Sequence, residues 1–270
     1  MSKNHYENFP VASVLLPARL RIPVTLIYRF ARAADDFADE GDRSDHERLA
    51  LLAGFGDALR CIERGEPSRE ALFYELTPII GEYRLPLNLF HDLLSAFAQD
   101  VARKRYANFA EVLDYSRRSA NPVGRLLLVL YGAATPQNLA WSDNICSGLQ
   151  IINFLQDIAI DYAKGRIYMP QDELAHYRVS ETQIAAHDTR GAWREFMMFQ
   201  IERARAMLWS GAPLGRVLKG RIGLEMRMII AGGDRILTKI RNTNGDVFRQ
   251  RPMLRSRDWM LMFARTFSIR

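Results

Sequence analysis

Gln150-Ile151-Ile152-Asn153-Phe154-Leu155-Gln156-Asp157-Ile158-Ala159-Ile160-Asp161 is the stretch whose reading decides the fold. Gln150, Asn153, Asp157 and Asp161 recur at steps of three, four and four, so on an α-helix they share one face. Ile151, Ile152, Phe154, Leu155, Ile158 and Ile160 cover most of the rest. A helix apolar over most of its circumference is a buried helix, so its polar stripe must face something inside the protein. An isolated buried carboxylate is expensive. Pairing with arginine is one way out. Metal ions shared with a second group of carboxylates are the other, and the pattern favours them because a second acidic stripe exists upstream.

That stripe lies in Tyr28-Arg29-Phe30-Ala31-Arg32-Ala33-Ala34-Asp35-Asp36-Phe37-Ala38-Asp39-Glu40. Tyr28, Arg32, Asp35 and Asp39 fall on one helical face, and Asp36 reaches Asp39 by an i,i+3 step. Like charges at this spacing cost helix stability, and Asp is a poor interior helix former. A polar helix end running into a solvated turn is the plain explanation. A divalent cation is the sharper one: magnesium takes oxygen ligands, one or two carboxylates at a time, together with water and substrate phosphates. Two aspartates at i,i+4 occur on both helices. The pattern therefore predicts facing carboxylate clusters on inward faces of a helical bundle.

Working outward, apolar residues recur mostly at three and four, and few segments read as strands. Val24 to Ala38 reads as one helix. Trp141 to Ala163 reads as another, with Thr135 as cap and Pro136 in the first turn. A third runs from near Leu214 to about Ile240, with Gly232-Gly233 in its middle for close packing. Breaks near Gly41–Asp45, Gly65–Ser68, Leu85–Leu87, Thr135–Pro136, Gly165–Pro170, Gly211–Pro213 and Asn242–Asp246 divide the chain into helix-length pieces without a low-complexity linker. The expectation is an all-α, single-domain bundle of roughly ten helices spanning 1–270, with a central cavity. The basic tail from Arg251 reads as a solvated end, or as a membrane-facing or lid segment.

The 270 residues are 48% hydrophobic, enough for a large core, and carry a net charge of +6. A basic surface suits diphosphates, anionic lipid or nucleic acid. No recognised nucleic-acid motif is present and the arginines are scattered, so nucleic acid is not expected as a partner. Cys61 and Cys146 stand apart without metal or disulfide spacing, which fits a reducing compartment. No targeting signal and no run long enough for a membrane span is visible. The expected location is cytoplasmic, soluble or peripheral on the inner membrane face. Arg32 one turn before the first acids, Lys104-Arg105 after Asp100, and Arg166 after Asp161 are candidate phosphate donors, arginine supplying a fork suited to phosphate.

Together these motifs resemble the squalene/phytoene synthase family. Arg32, Asp35, Asp36, Asp39 and Glu40 match its first aspartate motif. Asn153, Asp157, Asp161, Gly165, Arg166, Tyr168 and Pro170 match its second, and Tyr115-Ser116-Arg117-Arg118-Ser119-Ala120-Asn121-Pro122-Val123-Gly124 resembles the segment between. The opening HYENFPVAS, PLGRVLKGRIGLEMR and the late RPMLRSRDW are similar to the family's bacterial hydroxysqualene synthase branch, which extends the likeness over nearly the whole chain. Two departures stand out. Many relatives have cysteine where this chain has Ala31, and arginine where it has Gln156.

The resemblance implies an isoprenoid-synthase bundle and magnesium-assisted ionisation of presqualene diphosphate, followed by rearrangement and water capture to give hydroxysqualene. Asp35, Asp36, Asp39, Asn153, Asp157 and Asp161 would hold Mg2+. Arg32, Lys104, Arg105 and Arg166 would bind diphosphate. Tyr28 and Tyr115 would line the reacting end, where ring faces stabilise a cation. His5, Phe9, Ala120, Val123, Gly124 and Gln150 would contact substrate, His5 and Phe9 closing the cavity from the N-terminal side. With no Gly-rich dinucleotide fingerprint visible, NADPH is not expected. Hand-over from a presqualene diphosphate synthase and to a flavoprotein reductase would follow, as would peripheral membrane contact. Condensation of two farnesyl diphosphates to presqualene diphosphate, dehydrosqualene or squalene is the nearest alternative. A non-catalytic assembly factor is a remote one, since both aspartate motifs are intact.

Overall fold

The computed structural model describes residues 16–68, 70–249 and 251–266. Four helices open it: α1 Ala18–Asp39, α2 Asp45–Glu63, α3 Ala71–Tyr83 and α4 Leu87–Ala102. Ser44 and Glu47 form a reciprocal capping box that starts α2, the arrangement that satisfies two orphan N–H groups at once. These helices lock on a knot of aromatic rings. Phe30 stacks on Phe55 at 5.5 Å and meets Phe73 and Phe90 edge-on at 5.8 and 5.0 Å. Such offset and edge contacts contribute beyond area burial alone, and they hold the middle of α1 against α2, α3 and α4.

The second half comprises α5 Phe109–Ser119, α6 Asn121–Leu130, α7 Pro136–Gln156, α8 Ile158–Ala163, α9 Gln171–His176, α10 Glu181–Ala185, α11 Trp193–Ser210, α12 Leu214–Val217, α13 Gly220–Asn242 and α14 Ser256–Thr266. Thr135 caps α7 by accepting from the Asn138 N–H at 3.2 Å. Trp193, Phe196, Ile201, Leu208 and Leu237 form a second apolar core around α7. Tyr131 and Ile222 pack against both cores and join them. Among the described residues no strand forms; a single parallel bridge pairs Arg105 with Ile167. No described helix is long and apolar enough to cross a membrane.

The all-α expectation holds, and its details need three corrections. Four elements, α8, α9, α10 and α12, have six residues or fewer. They are too short to show a hydrophobic period, which is why roughly ten helices were expected. The Trp141–Ala163 helix is interrupted at Asp157, although the Asp157 N–H still reaches Asn153 O and the Asp161 N–H still reaches Asp157 O, so the polar stripe keeps its register. The Leu214–Ile240 helix is broken at Leu218–Lys219. Gly220 takes a positive φ of 63°, open to glycine at no steric cost, and turns the chain into α13. Gly233 does serve close packing, since an added Cβ would press on Leu208 and Leu149.

The tail from Arg251 is not a solvated end. Lys239 Nζ donates to Met253 O at 2.6 Å. Buried Asp258 accepts from Arg235 Nε and from the Arg255 N–H, both at 2.7 Å, and pairs with Lys239. These bonds strap 251–258 and α14 onto α13.

Candidate active site

The C-terminal ends of α1 and α4 meet the α7–α8 junction around a cleft of about 150 Å³. Its lining is Asp35, Asp39, Asp100, Tyr115, Gln150, Asn153, Phe154, Asp157, Asp161, Arg166 and Tyr168. The volume is below the roughly 300–1,000 Å³ of a whole ligand pocket. It suits a charged head group rather than an entire long-chain molecule.

Sequence reasoning placed Asp35, Asp39, Tyr115, Gln150, Asn153, Asp157, Asp161 and Arg166 at one site, and the fold brings them together. α1 delivers its acids because Phe30, Ala34 and Ala38 face the aromatic core, leaving the opposite face to the cleft. The turn after α8 delivers Arg166, whose N–H bonds Asp161 O at 2.8 Å. Arg166 is buried and lies 2.5 Å from Asp39 Oδ1. Lys164 Nζ bonds Asp39 Oδ2 at 2.9 Å.

The electrostatics divide the acids. Burial raises the Asp39 pKa, but Arg166 and Lys164 outweigh it and the net shift is downward. Burial and then the Asp39 charge push Asp35 up to about 7. Its side chain keeps 40% of its surface open, open to the cleft rather than to bulk water. Burial, with Asp157 adding to it, holds Asp161 well above the ordinary carboxylate range. Five carboxylates line the cleft against one arginine, and Lys164 and Arg251 pair with two of the acids from outside the lining, so acids outnumber cations.

That excess is the fit test for a divalent cation. The donor set is carboxylate and amide oxygen, the kind magnesium takes. Asp39 Oδ1 is buried without an aligned hydrogen bond despite its arginine neighbour. Among the described residues no three acidic, histidine or cysteine groups converge on one point. The donors instead come in ones and twos from two helices, as expected when phosphate and water complete the shell. The residues fit.

Three lining residues were not anticipated as site residues. Asp100 on α4 accepts from Tyr115 Oη at 2.5 Å and from Tyr168 Oη at 2.7 Å. Burial raises its pKa to about 6, with Arg166 and the two hydroxyls working the other way. Phe154 and Tyr168 stack at 3.9 Å, and Tyr106 and Tyr115 complete an aromatic wall beside them. Asp100 has no acidic neighbour in sequence, so nothing in the local pattern marks it. Tyr168 was visible only as a motif letter.

Other expected residues sit elsewhere. Arg32 pairs with Asp36 at 2.6 Å, which holds both beside the lining, and Tyr28 lies one turn further back on α1. Lys104 Nζ is taken by Asp100 O at 2.8 Å. Arg105 is turned away: it forks onto Glu181 at 2.7 Å and donates to Gly165 O, so it braces the α8–α10 corner. Ala120 and Val123 form the α5–α6 corner and do not line the cleft. A Cβ at Gly124 would strike Ser142 Oγ and Cys146 Sγ, which makes that position a helix contact between α6 and α7. His5 and Phe9 lie outside the described residues. Gln156, the departure from arginine, is buried and donates to Pro252 O at 2.6 Å.

The arginine-pairing alternative is also realised, at one acid. Arg251 of the tail forks onto Asp157, Nε to Oδ1 and Nη2 to Oδ2, the latter at 2.9 Å.

Comparison with known proteins puts this geometry in context. The squalene/phytoene synthase family matches residues 2–258. Hydroxysqualene synthase of Rhodopseudomonas palustris is 37% identical over 235 residues, 86% of this chain and 78% of that protein. A phytoene synthase of Arthrospira platensis is 28% identical, covering 93% of this chain and 85% of that one. The crystal structure of squalene synthase HpnC from Alicyclobacillus acidocaldarius superposes with a TM-score of 0.81 at 32% identity, over 89% of this chain and 90% of that chain.

Proposed function

This chain belongs to the squalene/phytoene synthase family, and from that premise we propose that it converts presqualene diphosphate to hydroxysqualene. It is an enzyme that processes an isoprenoid diphosphate. One observation carries the choice of chemistry: an acid-rich cleft in which carboxylates of α1 face carboxylates of the α7–α8 segment, with buried Arg166 in its lining. The hydroxysqualene synthase relative supports the choice of substrate.

Asp35 and Asp39 from one side, and Asn153, Asp157 and Asp161 from the other, would hold magnesium. When bound, magnesium supplies Lewis acidity to the leaving diphosphate. Arg166 and Lys164 stand ready for the charge that develops on the departing group, at fixed positions that need no reorganisation. Asp36, locked to Arg32, contributes by orienting that arginine. Phe154, Tyr115 and Tyr168 wall the cleft with ring faces suited to a carbocation and limit water. Tyr115 spends its proton on Asp100, so its oxygen lone pairs remain to accept from a single water. That water would add to the rearranged cation and lose a proton to the departed diphosphate, giving the alcohol.

This reaction uses no nicotinamide. Its substrate would come from a presqualene diphosphate synthase and its product would pass to a flavoprotein reductase. Both molecules are long hydrocarbons, so peripheral docking on an anionic bilayer belongs to the proposal. Exposed Arg216, Val217, Lys219 and Arg221 at the α12–α13 turn suit it.

The test is to incubate the protein with Mg2+ and presqualene diphosphate, without nicotinamide, and identify products by mass spectrometry. A C30 alcohol that EDTA abolishes is the expected result. A C30 product from farnesyl diphosphate alone would instead establish condensation.

A further inference from the structure

We infer that Arg251 is an exchangeable counter-cation: its fork on Asp157 and a divalent cation on that carboxylate are alternatives, and the displaced guanidinium moves to the diphosphate. The inference rests on the diphosphate reading above and extends it to a residue 94 positions after Asp157.

The Arg251–Asp157 pair is bidentate and engages both carboxylate oxygens. A divalent cation on Asp157 would then stand beside a guanidinium on the same group. Two positive charges on one carboxylate repel, so one must give way. The backbone cannot retreat easily, because the residues after Arg251 are fastened. Pro252 O is held by Gln156, Met253 O by Lys239, and Asp258 by Arg235, Lys239 and the Arg255 N–H. The side chain can move. Arg251 is 26% exposed and Asp157 22% exposed at the cleft edge, so the guanidinium has room to swing on a fixed stem.

Its new partner would be close. The cleft that Asp157 lines is the space assigned to the diphosphate, and a guanidinium released at its rim finds phosphate oxygens in the geometry its fork prefers. The same arginine therefore opposes metal binding alone and favours metal binding with diphosphate. The two ligands enter cooperatively, and Asp157 is kept neutralised between turnovers.

The exchange predicts effects of opposite sign from one substitution. Mn2+ binding without diphosphate, followed by the loss of free-ion electron paramagnetic resonance signal, should tighten by about tenfold in Arg251→Gln, the scale of one charge-assisted contact. Pyrophosphate binding in the presence of Mn2+, followed by calorimetry, should weaken by about tenfold in the same variant. Arg251→Lys keeps the charge without the fork, so both shifts should shrink; it also serves if the glutamine variant does not fold. A variant that binds both ligands as the wild type does, or loses affinity for both, overturns the exchange and leaves the diphosphate site standing. A wild type that binds neither Mn2+ nor Mn2+–pyrophosphate removes the diphosphate reading and this inference with it.

Discussion

The two acidic stripes look alike in sequence and are balanced in different ways. On α1 the counter-charges are local or come from the partner motif: Arg32 sits one turn before Asp36, and Arg166 with Lys164 crosses from the turn after α8 to Asp39. On the α7–α8 segment, Asp157 is balanced by Arg251 from the far end of the chain, while Asp161 is held protonated-prone by burial and its neighbour's charge. The first stripe is thus partly satisfied as built. Among the described residues the second is paired at Asp157 alone, through a strap that α13 keeps in place. Identical motif letters do different structural work, and substitutions should separate them.

The largest expected effect is on turnover. If the stripes are two halves of one head-group site, Asp35→Asn and Asp157→Asn should each lower kcat on the order of 10²–10³-fold, the loss seen when one transition-state electrostatic contact is removed. Steady-state pyrophosphate release checks this, and near-normal rates in either variant would break the symmetry.

Stability should separate residues within the first stripe. Asp39→Asn leaves buried Arg166 without its carboxylate and should cost about 3–5 kcal/mol in urea unfolding, as for other broken buried pairs. Asp36→Asn, at a half-exposed pair, should cost no more than about 1 kcal/mol. Equal losses would mean that Arg166 finds another partner. Between these lies Tyr168→Phe, which takes one of two hydroxyl donors from buried Asp100 and should cost about 1.5–3 kcal/mol, the range for a hydrogen bond to a charged group.

The strap should show itself only in acid. Burial alone would raise the Asp258 pKa, but Lys239, the Arg255 N–H and Arg235 pull it down to about 2. A depressed carboxylate pKa contributes stability that is fully present above the unfolded value of 3.8 and is lost as pH falls toward 2. Wild-type stability should therefore decline across that window more steeply than in Asp258→Asn. Parallel curves would deny the strap its acid anchor.

The helical architecture and most of the cleft were legible because both are periodic. An i,i+3/i,i+4 stripe reports which side chains share a face, and eight of the expected residues do line one cleft. What periodicity does not carry is tertiary. Asp100 becomes a site residue only because Tyr115 and Tyr168 reach it from α5 and from the segment after α8. Arg105 has the right charge and neighbourhood, yet Glu181 claims it from 76 residues away. Gly124 reads as a motif glycine and turns out to be where α6 and α7 touch. Arg251 opens a stretch that carries family likeness but no helical period, and its role depends on a register between Gln156 and Pro252 that no local signal encodes.

The most direct measurement is a crystal structure of the protein soaked with Mn2+ and pyrophosphate, with anomalous scattering recorded at the manganese edge. The account predicts anomalous peaks in contact with Asp35 or Asp39 on α1 and with Asn153, Asp157 or Asp161 on the α7–α8 segment, bridged by pyrophosphate that Arg166 faces. Manganese and pyrophosphate bound away from the two stripes, or against only one of them, would contradict it.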